Sequence, residues 1–183
     1  YAMKGPEQFV YKLLEQVKRW PAPMRLGATI ALEHYTAILA NALLENPEII
    51  EGADEHYAAL WKWHALEETE HKAVVYDVFQ SVFAEKPLQG YAIRSTSMVL
   101  ATIVLWSIFT PVYLSNVARS KQAWNFSDWR SGMRNLFGQH GVLSSSFRDY
   151  LAYFRPGFHP WEQDNRHLLS AVDELVAQYA VKT

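Results

Sequence analysis

The chain has 183 residues, half of them hydrophobic and 14% aromatic, and a formal net charge of −2. This excludes a disordered chain, suits one domain over 1–183 with a sizeable core, and offers no basic run for nucleic acid. There is no cysteine, which excludes disulfides, thiolate metal sites and a cysteine nucleophile and leaves histidine and carboxylates as the strong metal ligands.

Proline and glycine punctuate the sequence, and the segments between them read as helices. The chain opens on Tyr1, not Met, and runs straight into "GPEQFVYKLLEQVKRW", as a fragment, a processed product or the ordered part of something longer would. Nothing there resembles a signal peptide; the expected compartment is the cytoplasm, with membrane association as the alternative. Pro6 opens a first helix to about residue 20, broken by "PAP". A second helix is predicted over 24–45. "NPEIIEGAD" connects it to a third over 55–84, with Asp54 as its cap. "EKPLQG" ends that helix. A fourth, apolar helix follows over 91–117, then shorter ones over 127–137, 144–154 and 161–181. No alternating strand pattern or hairpin turn signal is visible, and the reading is an all-α bundle.

The run 95–118 carries no charge and is long enough to cross a membrane. Pro111 and scattered Ser, Thr and Asn weigh against spanning. A helix that is apolar all round is also what a buried or partner-packed position produces. Burial, or packing on another protein copy, is therefore expected over membrane contact.

Two helices carry polar residues where apolar ones belong. In the third, Tyr57, Trp61, His64, Glu68, His71, Val75, Val78 and Val82 recur at steps of three and four and form one face. His64, Glu68 and His71 interrupt it, while Glu67, Glu70 and Lys72 fall on the wetter side. In the second, Leu26, Ile30, Glu33, Ala37, Ala40 and Leu44 form the apolar stripe with Glu33 in its middle. A carboxylate in an apolar face needs a partner, because burying it alone costs several kcal/mol or neutralises it. The short connection makes these helices antiparallel neighbours, so both carboxylates are expected near mid-bundle with something positive between them.

The spacing Glu68-x-x-His71 puts a carboxylate and an imidazole on one turn. Helix-bundle dinuclear sites take a Glu-x-x-His from each of two helices and a lone Glu from each of the other two. Glu33, Glu68 and His71 match half of that set, and their hard O and N donors suit two iron ions, with manganese or zinc as alternatives. A bare Glu-x-x-His also arises by chance on surface helices, and its place on an apolar stripe opposite Glu33 is what sets this one apart. His64 is an extra ligand, a neighbour hydrogen-bonded to the ligands, or a satisfied core histidine. His34 points away from Glu33 and reads as structural. His159, in "RPGFHPWEQD", reads as part of a loop pinned by prolines before a helix. There is no nucleophile elbow, no H-E-x-x-H and no phosphate-binding glycine loop.

The blocks "ALEHYTAILA", "LWKWHALEETEHKAVVYDVF", "NLFGQHGVL" and "YLAYFRPGFHPW" resemble the predicted metal-dependent hydrolase family, which belongs with the ferritin-like helical proteins. The resemblance runs from about Phe9 to Asp164. It implies Glu33, Glu68 and His71 as this chain's ligands, with the bundle's N-terminal helix pair, bearing the other Glu and Glu-x-x-His, absent from these residues. It also implies that 1–85 carry half of the metal site, while 86–183 add the apolar helix and extra C-terminal helices. Three functions remain open: a metal-dependent hydrolase acting on a small molecule, a non-haem di-iron oxidase or oxygenase with an apolar substrate, and a non-catalytic helical protein with a vestigial site. In the last two, 95–118 would supply an apolar pocket, a membrane contact or an oligomer contact.

Overall fold

The computed structural model describes residues 4–119, 125–138 and 142–170, and all regular structure among them is helical. In chain order the helices are α1 (Lys4–Val17), α2 (Ala22–Glu45), α3 (Glu55–His71), α4 (Val74–Val82), α5 (Pro87–Arg119), α6 (Phe126–Phe137) and α7 (Val142–Ala152). The Asp54 carboxylate accepts hydrogen bonds from the His56 and Tyr57 N–H groups at 3.0 and 3.2 Å, the expected cap on α3.

Helix α2 is the centre of the fold and packs on α3, α4, α5 and α7. It buries Ile30, Ala31, His34, Ala37, Ile38, Ala40 and Ala42, which lie round more than one side of the helix. The predominance of alanine lets its neighbours come close. Gly27 marks the tightest approach: a Cβ there would lie 2.7 Å from both Ile93 Cγ2 and Ser97 Oγ of α5. The core joins Ile30 and Ala31 to Tyr76 and Phe79 of α4, Phe83, Met98 of α5, and Tyr153 and Phe158 beyond α7.

Three expectations change. The helix predicted over 55–84 is two helices, separated by a turn at Lys72 and Ala73. Lys72 is not on a wet side: it is 5% exposed, and its ammonium donates to the Gln163 carbonyl at 2.6 Å and to Asn165 Oδ1 at 2.7 Å. The face from Tyr57 to Val82 is not the core face either. Tyr57, Trp61, Val78 and Val82 are exposed, while Ala65, Thr69, Lys72, Tyr76, Phe79 and Phe83 make the buried stripe roughly a quarter-turn away. Alanine and threonine win the inner position because they allow close contact with the alanine-rich α2; the bulky Trp61 would hold the helices apart.

The helix predicted over 161–181 is, within the described residues, two short 3-10 turns at Pro160–Glu162 and Arg166–Ser170, and 171–183 lie outside them. His159 caps the first turn by accepting from the Trp161 N–H at 3.2 Å, and Asp164 accepts from the Arg166 N–H at 3.2 Å before the second. Helix α5 is longer than predicted and is not an interior helix of this chain. No residue from Val99 to Arg119 is buried, and 6% of its most apolar 18-residue window is.

Because Gly27 has no room for a side chain, Gly27→Val forces α2 and α5 apart. It is expected to destabilise the fold by about 1–3 kcal/mol, read as a lower midpoint in urea denaturation.

Candidate metal centre

Glu33 of α2 and Glu68 and His71 of α3 come together on the outer side of the α2–α3 contact. Glu33 and Glu68 are half-buried and His71 is exposed. The Thr36 hydroxyl donates to Glu68 Oε2 at 2.6 Å, and one turn below, it shares the α2 backbone carbonyl of Glu33 at 3.0 Å. His64 Nε2 lies 3.5 Å from Glu68 Oε1, and His64 Nδ1 3.7 Å from Glu67 Oε2. Burial and then the neighbouring Glu68 charge raise the Glu33 carboxyl above its ordinary range, and His71 pulls it partly back. The three groups therefore feel one another across two helices. They do not close: among the described residues no group of three or more His, Asp or Glu side chains surrounds a point as metal ligands do.

Thr36 is the member that the sequence reading lacked. It stands three residues after Glu33, on the same side of α2, and the i, i+3 spacing is the signal that marks it. Glu70 is exposed and Glu67 half-buried, as expected of residues outside the cluster. His159 is a loop residue, with Nε2 2.8 Å from Asp77 Oδ1.

Beside the cluster, an apolar cleft of about 340 Å³ runs between α2 and α3. Leu39, Leu43, Ile50 and Trp61 line its walls, and Thr36, His64 and Glu68 stand at its polar end. The carboxylate thus faces a space that favours hydrocarbon over water.

On the opposite, inner side, polar groups are satisfied. His34 is 5% exposed, stacked on Tyr153 with ring centroids 4.6 Å apart, and donates from Nε2 to the Asp149 carbonyl at 3.2 Å. The Arg94 guanidinium, also buried, donates to the Tyr76 hydroxyl and the Arg155 carbonyl at 3.0 and 2.8 Å and lies over the rings of Tyr91, Tyr153 and Phe158. Lys72 stands 4.4 Å from the centre of the Trp161 ring, and burial lowers its pKa to about 8.

Fold and site together define a helical protein with a partial carboxylate–imidazole cluster at the mouth of an apolar cleft. The model of the predicted metal-dependent hydrolase family matches residues 1–164, and the chain belongs to that family. No curated protein and no solved structure matches the chain.

Burial holds His34 neutral and lowers its pKa from 6.5 to about 4. Above pH 6.5 the ring is neutral in both folded and unfolded chains. Below it the unfolded chain takes up a proton that the folded one refuses, so stability is lost as pH falls towards 4. The loss attributable to this residue approaches about 3 kcal/mol. Urea denaturation across that range should show it, and His34→Gln should flatten the slope.

Proposed function

We propose that Glu33, Glu68 and His71 are half of a dinuclear metal site in a ferritin-like bundle, and that the protein is a metal-dependent hydrolase. One observation carries this reading. Glu33 of α2 lies close enough to Glu68 and His71 of α3 to feel both charges, on a side where Tyr57 and Trp61 before the cluster and Val78 and Val82 after it are left exposed by the described residues. Two carboxylates at close range repel each other, and a cation between them removes that repulsion. The donor set is hard oxygen plus neutral nitrogen, which fits iron or manganese and accepts zinc. The remaining Glu and Glu-x-x-His come from two further helices laid on this face, as the resemblance to the family's bundle implies.

Glu33, Glu68 and His71 would hold the ions, offering carboxylate oxygens and one neutral ring nitrogen. The Thr36 hydroxyl fixes Glu68 in its rotamer, and His64 holds its other oxygen from the cleft side. A bound divalent metal supplies a water of lowered pKa for attack on an ester or amide. Leu39, Leu43 and Trp61 exclude bulk water from the approach and bind the apolar part of a small-molecule substrate.

The same cleft favours a second reading, a di-iron oxidase or oxygenase acting on an apolar substrate. Its walls are apolar apart from the end where Thr36, His64 and Glu68 stand.

Elemental analysis and anaerobic Fe(II) and Mn(II) titration of the protein at full length test the site. The wild type should retain a metal pair. Glu68→Ala and His71→Ala should each lower affinity by about 100-fold or more, with helicity by circular dichroism unchanged. Metal content that is the same in wild type and variants would sink the assignment. Turnover of aryl esters without oxygen uptake supports the hydrolase, and substrate-dependent oxygen uptake by the iron form supports the oxidase.

A further inference from the structure

The net charge of −2 conceals a division. Residues 86–148 contain seven Lys or Arg and one Asp, a net of +6, while the rest of the chain contains ten Lys or Arg and eighteen Asp or Glu, a net of −8. The positive segment also carries a long run of uncovered hydrocarbon. Along α5, Ile103, Trp106, Phe109, Tyr113 and Leu114 are each about half exposed. They occupy an arc of roughly 140° of the helix over about three turns. The hydroxyls of Thr102 and Ser107 turn back on the Met98 and Val104 carbonyls at 2.8 and 2.7 Å, so they present little polarity outward.

Helix α6 repeats the pattern in a different form. Phe126, Met133 and Phe137 recur at steps of seven and four along one side and are exposed, Phe126 at 82%. Arg130 and Arg134, both exposed, border that stripe. An apolar stripe flanked by arginines is the composition of a helix lying in a lipid headgroup layer. Tyr113 and Trp129 meet edge to face at 6.3 Å, which sets α6 against the distal end of α5.

We propose that the distal half of α5 and the apolar stripe of α6 are embedded in a bilayer rich in anionic lipid. Ile103, Phe109 and Leu114 enter the acyl region. Trp106 and Tyr113, with apolar rings and one polar edge, suit the boundary layer. Arg119, Arg130 and Arg134 meet the anionic headgroups. The charge division argues for lipid over a second copy of the chain, since a symmetric dimer through this face would bring two +6 segments together. It also orients the molecule, because the remaining −8 is repelled from the same surface. This inference stands apart from the metal site and is tested without it.

Flotation of the whole protein with phosphatidylcholine vesicles, with and without phosphatidylglycerol, at physiological salt decides the matter. The protein should float with the anionic vesicles and much less with the neutral ones. Each basic residue at such a surface strengthens binding about fivefold, so Arg130→Glu with Arg134→Glu should weaken it at least roughly tenfold. Ile103→Ser with Phe109→Ser should abolish it. As a check that does not depend on those variants folding, brominated lipid should quench tryptophan emission in the wild type and quench it less in Trp106→Phe. A wild type that floats with neither vesicle overturns the proposal, as does equal flotation with both. So does a discrete dimer, dissociated by Ile103→Ser with Phe109→Ser, that binds no vesicles.

Discussion

Helix α2 has to be covered on nearly every side, because it carries apolar residues round most of its circumference and sits where four other helices can reach it. Its few polar groups fix how it is rotated. His34 donates to the Asp149 carbonyl, the Tyr35 hydroxyl lies 2.5 Å from Thr102 Oγ1, and Asn41 accepts from the Asn165 amide at 3.0 Å. A rotation by one residue, about 100°, would break all three. That rotation is also what presents Glu33 and Thr36 to Glu68. The cluster is positioned by hydrogen bonds that point away from it.

The starts of α2 and α3 were legible to within two residues because Pro21, Pro23 and Asp54 act locally, through fixed backbone angles and a cap, and need no knowledge of the tertiary fold. The inner face of the third helix was not. It has two apolar stripes about a quarter-turn apart, and periodicity cannot rank them. Packing against an alanine-rich neighbour selects the one with Ala65, Thr69 and Ala73. The same ambiguity hid Lys72, which looks like a surface lysine until residues some ninety positions later supply its carbonyl and amide partners. The spacing of Glu33, Glu68 and His71 was readable because it lies within two adjacent helices; among the described residues these groups do not close round a point.

Two buried cations give the C-terminal segment its place. Arg94 binds the Arg155 carbonyl, and the Tyr76 hydroxyl donates to the Phe158 carbonyl at 2.5 Å. Lys72 binds the Gln163 carbonyl. A cation in an interior is stable only when its donors and its charge are answered, and here carbonyl dipoles and aromatic faces answer both. Residues 155–165 thus answer the charges of Arg94 on α5 and of Lys72 in the turn after α3, and the Arg155 and Gln163 carbonyls point inward and not along a helix axis.

These long-range bonds make the segment between α4 and α7 a single closed loop, pinned at its base by Tyr76 to Phe158 and Arg94 to Arg155. Most of α5 and all of α6 lie inside that loop, and their outer surfaces add little to the core. Loop-closure entropy rises only with the logarithm of length, about 0.6 kcal/mol for each doubling. Residues could be gained or lost in this excursion with little effect on the stability of the pinned base. The exposed distal half of α5 and α6 is therefore free to change length and composition under different demands from the part that holds α2 and the carboxylates.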